Sequence, residues 1–362
     1  MAIIHVVIPV YNAASFLRET VNSVLNQPSK EIDIVLVNDG SNDGSADLCD
    51  ELAAAEPRVS VIHQCNQGVS AARNVGIEYF LRNQVAGYVA FLDADDLWVP
   101  NVITEQTAET ITDNNSVDVI TFGCITSNSD CSKYGIPLLY KSCCKDGGNG
   151  VIWPMLGTFC ANLYSIDLLK KYQIRFTEGL KYCEDKIFKM QCVFLADKVS
   201  FRPEILHIYR ENRASAMHKI FSYTPMEYYL PIIDGWIASD HFVNSWENIS
   251  GKHINAGHTL ASIYFGDMSA EHYQRWKSRR SLEAACCLHP HFDLYMNMDA
   301  ASVSKKQYAR QQMHLNHPFL FIAKNRIIGA ILYILRCALR VKPIRAFRLQ
   351  RKYPLSSIPN TK

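Results

Sequence analysis

The sequence lacks the features that mark a secreted, membrane-spanning or general nucleic-acid-binding protein. Its 12 cysteines include no CxxC pair, and the N-terminal stretch Met1–Ile8 has neither a basic region nor a cleavage site. We therefore expect free thiols in a reducing cytosol. The longest uncharged apolar run, Ile327–Leu335, is nine residues, well short of the roughly 18 that a spanning helix needs. The net charge of only +2 argues against a general nucleic-acid binder.

The small net charge of the whole chain conceals a strongly basic C-terminal segment. Residues 317–362 contain ten Lys or Arg and no acidic residue, whereas the rest of the chain carries 27 basic and 35 acidic residues. Apolar clusters at Phe319–Ile322 and Ile327–Leu339 lie within this basic segment. The pattern predicts a basic amphipathic tail at an anionic membrane surface. A helix packed on the body, with a solvated basic end, is the alternative.

Apolar patterning in the first 125 residues predicts an α/β fold with a parallel sheet and helices on both faces. Such sheets bind ligands beyond the carboxyl ends of their strands. The predicted strands are Ile3–Val10, Ile32–Val37, Val59–His63 and Tyr88–Leu92, and the predicted helices are Ala14–Asn26, Ser45–Ala55 and Val69–Arg82. The strand ends to examine are therefore Tyr11–Asn12, Asn38–Ser41, Asn66–Gly68 and Asp93–Asp96.

Three carboxylates follow the last of these strands, in Asp93-Ala94-Asp95-Asp96. Carboxylate oxygens suit Mg²⁺ or Mn²⁺, which are usually shared with a phosphate. An acidic turn is the alternative, with Asp96 as the N-cap of a helix beginning at Leu97. These residues alone favour neither the metal site nor the acidic turn.

Three further signals are weaker when each is taken alone. Asp39, at a strand tip before Gly40, either accepts a hydrogen bond from a base or belongs to a turn whose Asp43 and Ser45 cap the next helix. Arg73 holds a phosphate, orients a carboxylate such as Asp93, or makes a surface salt bridge. Glu184-Asp185 either favours a helix dipole or presents a general base.

Together, these segments resemble the ordered signature of the family 2 glycosyltransferases, the inverting GT-A-fold enzymes of bacterial polysaccharide synthesis. The resemblance covers about residues 3–215, and one departure is Asn38, where the family often has an acid. The segments that carry it are Val6–Asn12, Val37–Ser41, Gly68–Gly76, Phe91–Asp96 and Glu184-Asp185.

The resemblance implies a role for each matched residue. Tyr11 and Asp39 would hold the uracil of a UDP-sugar, and Asp93 and Asp95 would ligate Mn²⁺ or Mg²⁺. Asp185 would be the catalytic base, supported by Glu184. The full nucleotide-sugar site would comprise Pro9, Val10, Tyr11, Asp39, Arg73, Asp93, Ala94 and Asp95. A closing stretch, Tyr209–Ser215, would lie over the site, where Arg213 or His218 contacts the diphosphate or lies at the surface.

The resemblance also implies a fold and a domain plan. Residues 1–215 would form the GT-A catalytic domain, a mostly parallel sheet flanked by helices, with the nucleotide-sugar side in 1–100 and the acceptor side in 101–215. We expect a helical region over 216–316 and the basic tail over 317–362. The enzyme would act at the cytoplasmic face of the inner membrane on a glycan or lipid-linked acceptor. The alternatives are a nucleotidyltransferase, or a non-catalytic sugar-nucleotide or lipid-binding scaffold of the same fold.

Overall fold

The computed structural model describes residues 4–113, 117–135, 159–180, 184–211, 308–309 and 311–313. The chain divides into two compact units, Met1–Ser222 with Tyr353–Lys362, and Tyr223–Lys352. The sheet and the candidate site both belong to the first unit. The boundaries predicted near residues 215 and 316 lie outside the described residues and stay predictions.

The first unit begins with strands and helices in alternation, as the apolar pattern predicts. The strands are β1 Ile4–Val10, β2 Ile32–Asp39, β3 Val59–Gln64, β4 Tyr88–Phe91, β5 Leu97–Trp98, β6 Val119–Ser127, β7 Asn162–Ser165 and β8 Val199–Arg210. The helices are α1 Leu17–Leu25, α2 Ser45–Ala55, α3 Val69–Arg82, α4 Glu105–Asp113, α5 Ile166–Lys171 and α6 Glu184–Leu195. A short 3-10 helix, Phe159–Ala161, precedes β7.

The eight strands form one sheet in the order β3-β2-β1-β4-β7-β6-β8-β5. β3, β2, β1 and β4 are parallel to one another, whereas β7 is antiparallel to both β4 and β6. Val10 pairs with Asn38, so the loops that follow β1 and β2 leave the sheet side by side. The α/β sheet with flanking helices that the resemblance implies is confirmed.

Close packing of α3 against β1 fixes the centre of the sheet. Every residue of β1 is buried, as the continuous apolar run predicts. Gly76 of α3 lies directly over Val7, and a Cβ at Gly76 would lie 2.3 Å from Val7 Cγ1. Only a glycine permits this approach, which sets the position of the whole helix, including Arg73 one turn earlier.

An aromatic cluster fills the space between β4, β7 and α6. The rings of Phe176 and Phe188 stack at a centroid distance of 4.0 Å, and Phe91 packs edge-on against both. Phe159 and Tyr164 complete this cluster. Because these rings are closely packed, they form a rigid support for Arg73, whose guanidinium lies over two of them.

Two expectations from composition can be compared with the described residues. Six cysteines in this part of the chain, Cys49, Cys65, Cys124, Cys131, Cys160 and Cys192, are free thiols. None of the helices placed by the structure is both long enough and apolar enough to cross a bilayer.

Candidate functional site

The loop after β1 is held by side chains of the loop after β2. The backbone N–H groups of Asn12, Ala13 and Ala14 donate to Ser41 Oγ, Ser45 Oγ and Asp43 Oδ2 at 3.1, 2.9 and 3.1 Å. Gly44 is the N-cap residue of α2, but Asp43 Oδ1 accepts the N–H of Ser45, the first helical residue, at 3.0 Å. The predicted role of Asp43 at the helix start is therefore confirmed, whereas Ser45 lies within the helix and its hydroxyl binds the loop after β1.

Tyr11 leaves β1 at this rigid loop and is 53% exposed, one of two large exposed hydrophobic residues in the described part of the chain. The other, Val69, begins α3. An exposed ring on a fixed backbone provides a surface on which a flat base can stack. Pro9 and Val10, which precede Tyr11, are buried within β1, so they act through the backbone position that they give to the ring.

Asp39, at the end of β2, anchors the loop that leads into α3. Its carboxylate is 3% exposed and accepts hydrogen bonds from Gln64 Nε2, Gln67 N and Gly68 N at 2.7 to 2.8 Å. Gly40 has φ +69°, and a Cβ there would lie 2.8 Å from Asn66 N. This anchoring role was not predicted from the sequence, and the contact of Asp39 with uracil stays a prediction.

Asn38 takes the place of the acid that the family often has here. Its Nδ2 lies 3.0 Å from His63 Nδ1, and its Oδ1 accepts the Ser41 N–H at 3.2 Å. The amide is 4% exposed. Asn38 therefore joins β2 to β3 and shapes the turn.

Replacing Asp39 with Ala should lower both UDP affinity and stability. The change removes three partly buried hydrogen bonds to a charged acceptor, a loss of about 1–3 kcal/mol in the free energy of unfolding. Urea denaturation and UDP titration calorimetry measure the two effects. Asp47→Asn, at an exposed position in the first turn of α2, is the control. An Asp39→Ala variant with unchanged UDP affinity would remove this residue from the nucleotide site.

The three acids after β4 have different surroundings. Asp93 and Asp95 are partly exposed, whereas Asp96 is 1% exposed. Asp96 accepts a hydrogen bond from the Arg210 N–H at 2.9 Å and lies 2.8 Å from His207 Nε2. Burial raises the pKa of Asp96, and His207 opposes that rise. Leu97–Trp98 form β5 against β8, so the helix-cap interpretation of Asp96 is wrong, and Asp96 instead ties β8 to the acidic loop.

Arg73 is the centre of the site. Its Nη2 donates to Asp93 Oδ1 at 2.7 Å, and its Nη1 donates to Glu184 Oε1 at 3.0 Å. The guanidinium lies over the rings of Phe159 and Phe176, 4.5 and 5.2 Å from their centroids. Burial alone would lower the pKa of Arg73, but Asp93 and Glu184 raise it further above its usual range. The predicted contact with Asp93 is confirmed, and the surface salt bridge is excluded because Arg73 is 3% exposed.

Glu184 and Asp185 occupy the first turn of α6, where a negative charge is favourable. Glu184 is mostly buried against Arg73. Burial raises the pKa of Glu184, Arg73 opposes the rise, and the neighbouring Asp185 adds to it. Asp185 is partly exposed. The pair therefore divides into one carboxylate fixed by an arginine and one that solvent can reach.

Arg73 thus joins two acidic segments that are far apart in the chain, the one after β4 and the one at the start of α6. The sequence did not identify the groups beneath it, Phe159, Phe176 and the buried Cys160, whose Sγ lies 3.9 Å from Asp93 Oδ2. These three residues lie in a stretch where the apolar pattern predicted only globular packing. Arg213 and His218 lie outside the described residues.

Asp93 and Asp95 fit the divalent ion that the fold family implies. Mg²⁺ and its analogues are usually held by one or two carboxylates together with the phosphates of a substrate. Oδ1 of Asp93 binds Arg73, Oδ2 lies 3.9 Å from the weakly donating Cys160 thiol, and Asp95 is partly exposed two residues further on. The described residues contain no group of three or more His, Cys, Asp or Glu side chains that would hold an ion without a substrate.

Comparison with known proteins shows which class of protein this part of the chain resembles. Residues 5–163, somewhat less than half of the chain, match the family "Glycosyl transferase family 2". The match includes Tyr11, Asp39, Arg73, Asp93 and Asp95, and it ends before Glu184.

Two relatives from Bacillus subtilis (strain 168) are similar over the same region. The chain is 29% identical to "Uncharacterized glycosyltransferase EpsJ" over 224 residues, 58% of this chain and 61% of the relative. It is also 29% identical to "Putative glycosyltransferase EpsH" over 226 residues, 60% of this chain and 63% of the relative. The chain therefore spans somewhat less than two thirds of these relatives' lengths.

Among solved structures, residues 1–349 of TarS from S. aureus superpose with a TM-score of 0.62 at 18% identity, covering 90% of this chain and 89% of that one. The same TarS fragment in complex with UDP-GlcNAc gives a TM-score of 0.58 at 19% identity. At this identity the likeness establishes the fold alone.

Proposed function

We propose that the protein is an inverting glycosyltransferase that moves a hexose or N-acetylhexosamine from a UDP-sugar to a hydroxyl of a glycan acceptor. The observation that carries the proposal is the Arg73 bridge, because one buried guanidinium binds both Asp93, on the donor side, and Glu184, on the acceptor side. A donor held after β4 and a base at the start of α6 would thereby face each other. The match of residues 5–163 to the glycosyltransferase family model and the UDP-GlcNAc complex of the similarly folded TarS support the choice of donor.

On the donor side, Tyr11 would stack on the uracil, and Asp39 would hold the adjoining loop and contact the base. Asp93 and Asp95 would hold Mn²⁺ or Mg²⁺ against the diphosphate. When bound, that ion neutralises charge that develops on the departing UDP. Arg73 holds the carboxylate of Asp93 in one orientation through the 2.7 Å hydrogen bond to Oδ1.

On the acceptor side, Asp185 would accept the proton of the attacking hydroxyl. Asp185 is partly exposed, so an acceptor can approach it, whereas the carboxylate of Glu184 accepts a hydrogen bond from Arg73. A single displacement at C1 inverts the anomeric centre, and an α-linked UDP-sugar would give a β-linked product. Such a step needs one general base and no protein nucleophile.

Nucleotide binding gives the first test of this proposal. A ligand that binds the folded state raises the melting temperature by mass action. We expect UDP with Mn²⁺ to raise it by several degrees, and GDP or ADP with Mn²⁺ to raise it much less. Tyr11→Ala should weaken the UDP effect, and the control variant Tyr172→Ala, at the C-cap of α5, should retain it. Equal shifts with all three nucleotides would contradict the assignment of a UDP-sugar donor.

Replacing Asp95 with Ala should abolish metal-dependent turnover and leave the fold intact. A partly exposed carboxylate at a strand end contributes little to the core, and the ion would lose one of its two protein ligands. UDP release with and without Mn²⁺, together with the melting temperature, measures both effects. Transfer near the wild-type rate with Mn²⁺ would show that Asp95 is not a metal ligand.

We also propose that the acceptor is lipid-linked, in bacterial surface polysaccharide synthesis at the cytoplasmic face of the membrane. This part rests on the composition of residues 317–362, which lie outside the described residues. Ten basic residues without an acid, interleaved with apolar clusters, suit attachment to an anionic leaflet.

Deleting residues 317–362 should release the protein from anionic vesicles and leave UDP binding unchanged. Each basic residue near an anionic leaflet contributes about 1 kcal/mol, and salt weakens that contribution. Vesicle flotation at low and high salt, with neutral vesicles as control, measures the attachment. If the full chain ignores both kinds of vesicle and the truncated chain is insoluble, the segment is a structural helix and not a membrane anchor.

A further inference from the structure

A chain of hydrogen bonds runs from the surface of α2 through β3 and β2 towards the loop that carries Tyr11. His63 lies on β3, the outermost described strand at one side of the sheet, and its side chain is 41% exposed. Its Nε2 lies 3.0 Å from Asp50 Oδ1 on α2, and its Nδ1 lies 3.0 Å from Asn38 Nδ2 on β2. Since Asn38 is buried, the chain passes from a surface pair to a buried amide.

A backbone group fixes the direction of each hydrogen bond in this chain. The Ser41 N–H is a donor, and it donates to Asn38 Oδ1 at 3.2 Å. The Asn38 amide must therefore present Nδ2, also a donor, to His63. Only a neutral His63 with its proton on Nε2 accepts this bond at Nδ1 and donates to Asp50 at the same time. Protonation of His63 would place two donors face to face, and turning the amide over would give up the bond from Ser41.

The turn that Asn38 shapes holds the backbone beside Tyr11. Ser41 Oγ accepts the Asn12 N–H at 3.1 Å, and Asn12 Oδ1 accepts the Asn42 N–H at 2.9 Å. Asn12 has φ +50°, a left-handed conformation that residues other than glycine adopt at a cost. These hydrogen bonds maintain that conformation. Since Asn12 directly follows Tyr11, the turn fixes the backbone from which the Tyr11 ring projects.

We propose that His63 is a positioning residue for the nucleotide, and that its neutral form holds the Tyr11 loop, through Asn38, in the conformation that binds the base. The inference rests on the proposed function, because that function places the Tyr11 ring against the uracil. His63 acts through the turn after β2, and no contact with the donor is assigned to it.

The two groups that contact the His63 ring favour opposite charge states of that side chain. Asp50 of α2 is exposed and favours the protonated form, whereas the amide of Asn38 requires the neutral form. Asp39, the next residue of β2, is bonded instead to Gln64 and to the loop before α3. We therefore expect UDP affinity to fall as the pH falls from about 8 to about 5, the range in which histidine gains its proton.

The test measures UDP affinity with Mn²⁺ by calorimetry at about pH 8 and about pH 5, the two ends of that range. His63→Leu removes the acceptor and should bind UDP about three- to tenfold more weakly than wild type at the higher pH, the change expected for one hydrogen bond. At the lower pH, wild type should bind no more tightly than His63→Leu. Comparing variants at one pH removes the titration of UDP itself from the result.

His63→Asn is the conservative variant, because its amide oxygen takes the place of Nδ1 and gains no proton in this range. It should bind UDP like wild type at the higher pH, and about three- to tenfold more tightly than wild type at the lower pH. Ser60→Ala is the control, since it breaks a different hydrogen bond to β3, donated by Tyr79 of α3. It should follow wild type at both pH values.

If His63→Leu binds UDP like wild type at the higher pH, or if its affinity ratio to wild type is the same at both pH values, His63 has a structural role only and the inference is overturned. This ratio decides the question even where His63→Asn does not fold, and melting temperatures verify the folding of each variant. Wild-type protein that binds no UDP at either pH would instead contradict the proposed function. Wild-type binding with unaltered variants is a failure of the inference alone.

Discussion

Asp185→Asn should retain the fold and donor binding but transfer sugar about 10²–10⁴-fold more slowly, the usual loss on removing a general base. The amide has nearly the size of the carboxylate and cannot take the acceptor's proton. UDP affinity should change little, because Asp185 lies at the start of α6, away from the nucleotide loops after β1 and β2. The rate of UDP release at saturating donor, with calorimetric UDP titration beside it, measures the two quantities.

Asp47→Asn is the matched control, because Asp47 is also an aspartate in the first turn of a helix and is exposed. It should turn over like wild type, so that loss of a favourable helix-dipole charge is separated from loss of the base. If Asp185→Asn transfers normally, the base is Glu184 or lies elsewhere. The alternative is then tested by Glu184→Gln, which leaves Arg73 with only one carboxylate.

Arg73→Met should produce the largest loss of stability of any change at the site. It leaves the buried Glu184 and the partly exposed Asp93 without their shared cation. Breaking a buried ion pair by removing one partner typically costs about 3–5 kcal/mol in the free energy of unfolding. The rate of sugar transfer should also fall by about 10²-fold or more, because Arg73 no longer holds the two acidic segments in position relative to each other. Urea denaturation and the rate of UDP release measure the two effects.

Arg73→Lys should rescue little, because a single ammonium group cannot reproduce the fork that reaches two carboxylates. Arg18→Met is the control, since it breaks the exposed pair with Glu51, and such pairs are worth about 1 kcal/mol or less. If Arg73→Met is as stable as Arg18→Met and as active as wild type, Arg73 does not organise the site.

The sequence predicted the parallel half of the sheet well. The bounds of α2 and α3 agree with the structure, and those of β1 to β4 agree within two residues. These elements can be recognised in the sequence because a strand that is buried on both faces is a continuous apolar run, and a helix that is buried on one face has apolar residues at a helical period. β5 is only two residues long, and β7 only four. Strands so short carry no recognisable period, and they exist because β8 and β4 are there to pair with them.

The site was predictable where its residues belong to strand ends, and not where it depends on long-range packing. Asp93, Asp95 and Glu184-Asp185 stand out as acidic clusters, and the contact of Arg73 with Asp93 follows from their positions at one edge of the sheet. Two roles depend on residues distant in the chain, the anchoring of the 64–68 loop by Asp39 and the locking of Asp96 by His207.

The central claim is that this site transfers sugar from a UDP-sugar donor. Its most direct test follows label from UDP-sugars carrying ¹⁴C in the sugar, incubated with Mn²⁺ and a membrane extract. We predict Mn²⁺-dependent movement of label into a glycan or lipid-extractable product, with one UDP released for each sugar transferred. A nucleotidyltransferase would instead form pyrophosphate from UTP and a sugar 1-phosphate, and a scaffold would bind UDP-sugar and leave it intact. Either of these results, with no labelled product from any donor, would contradict the claim.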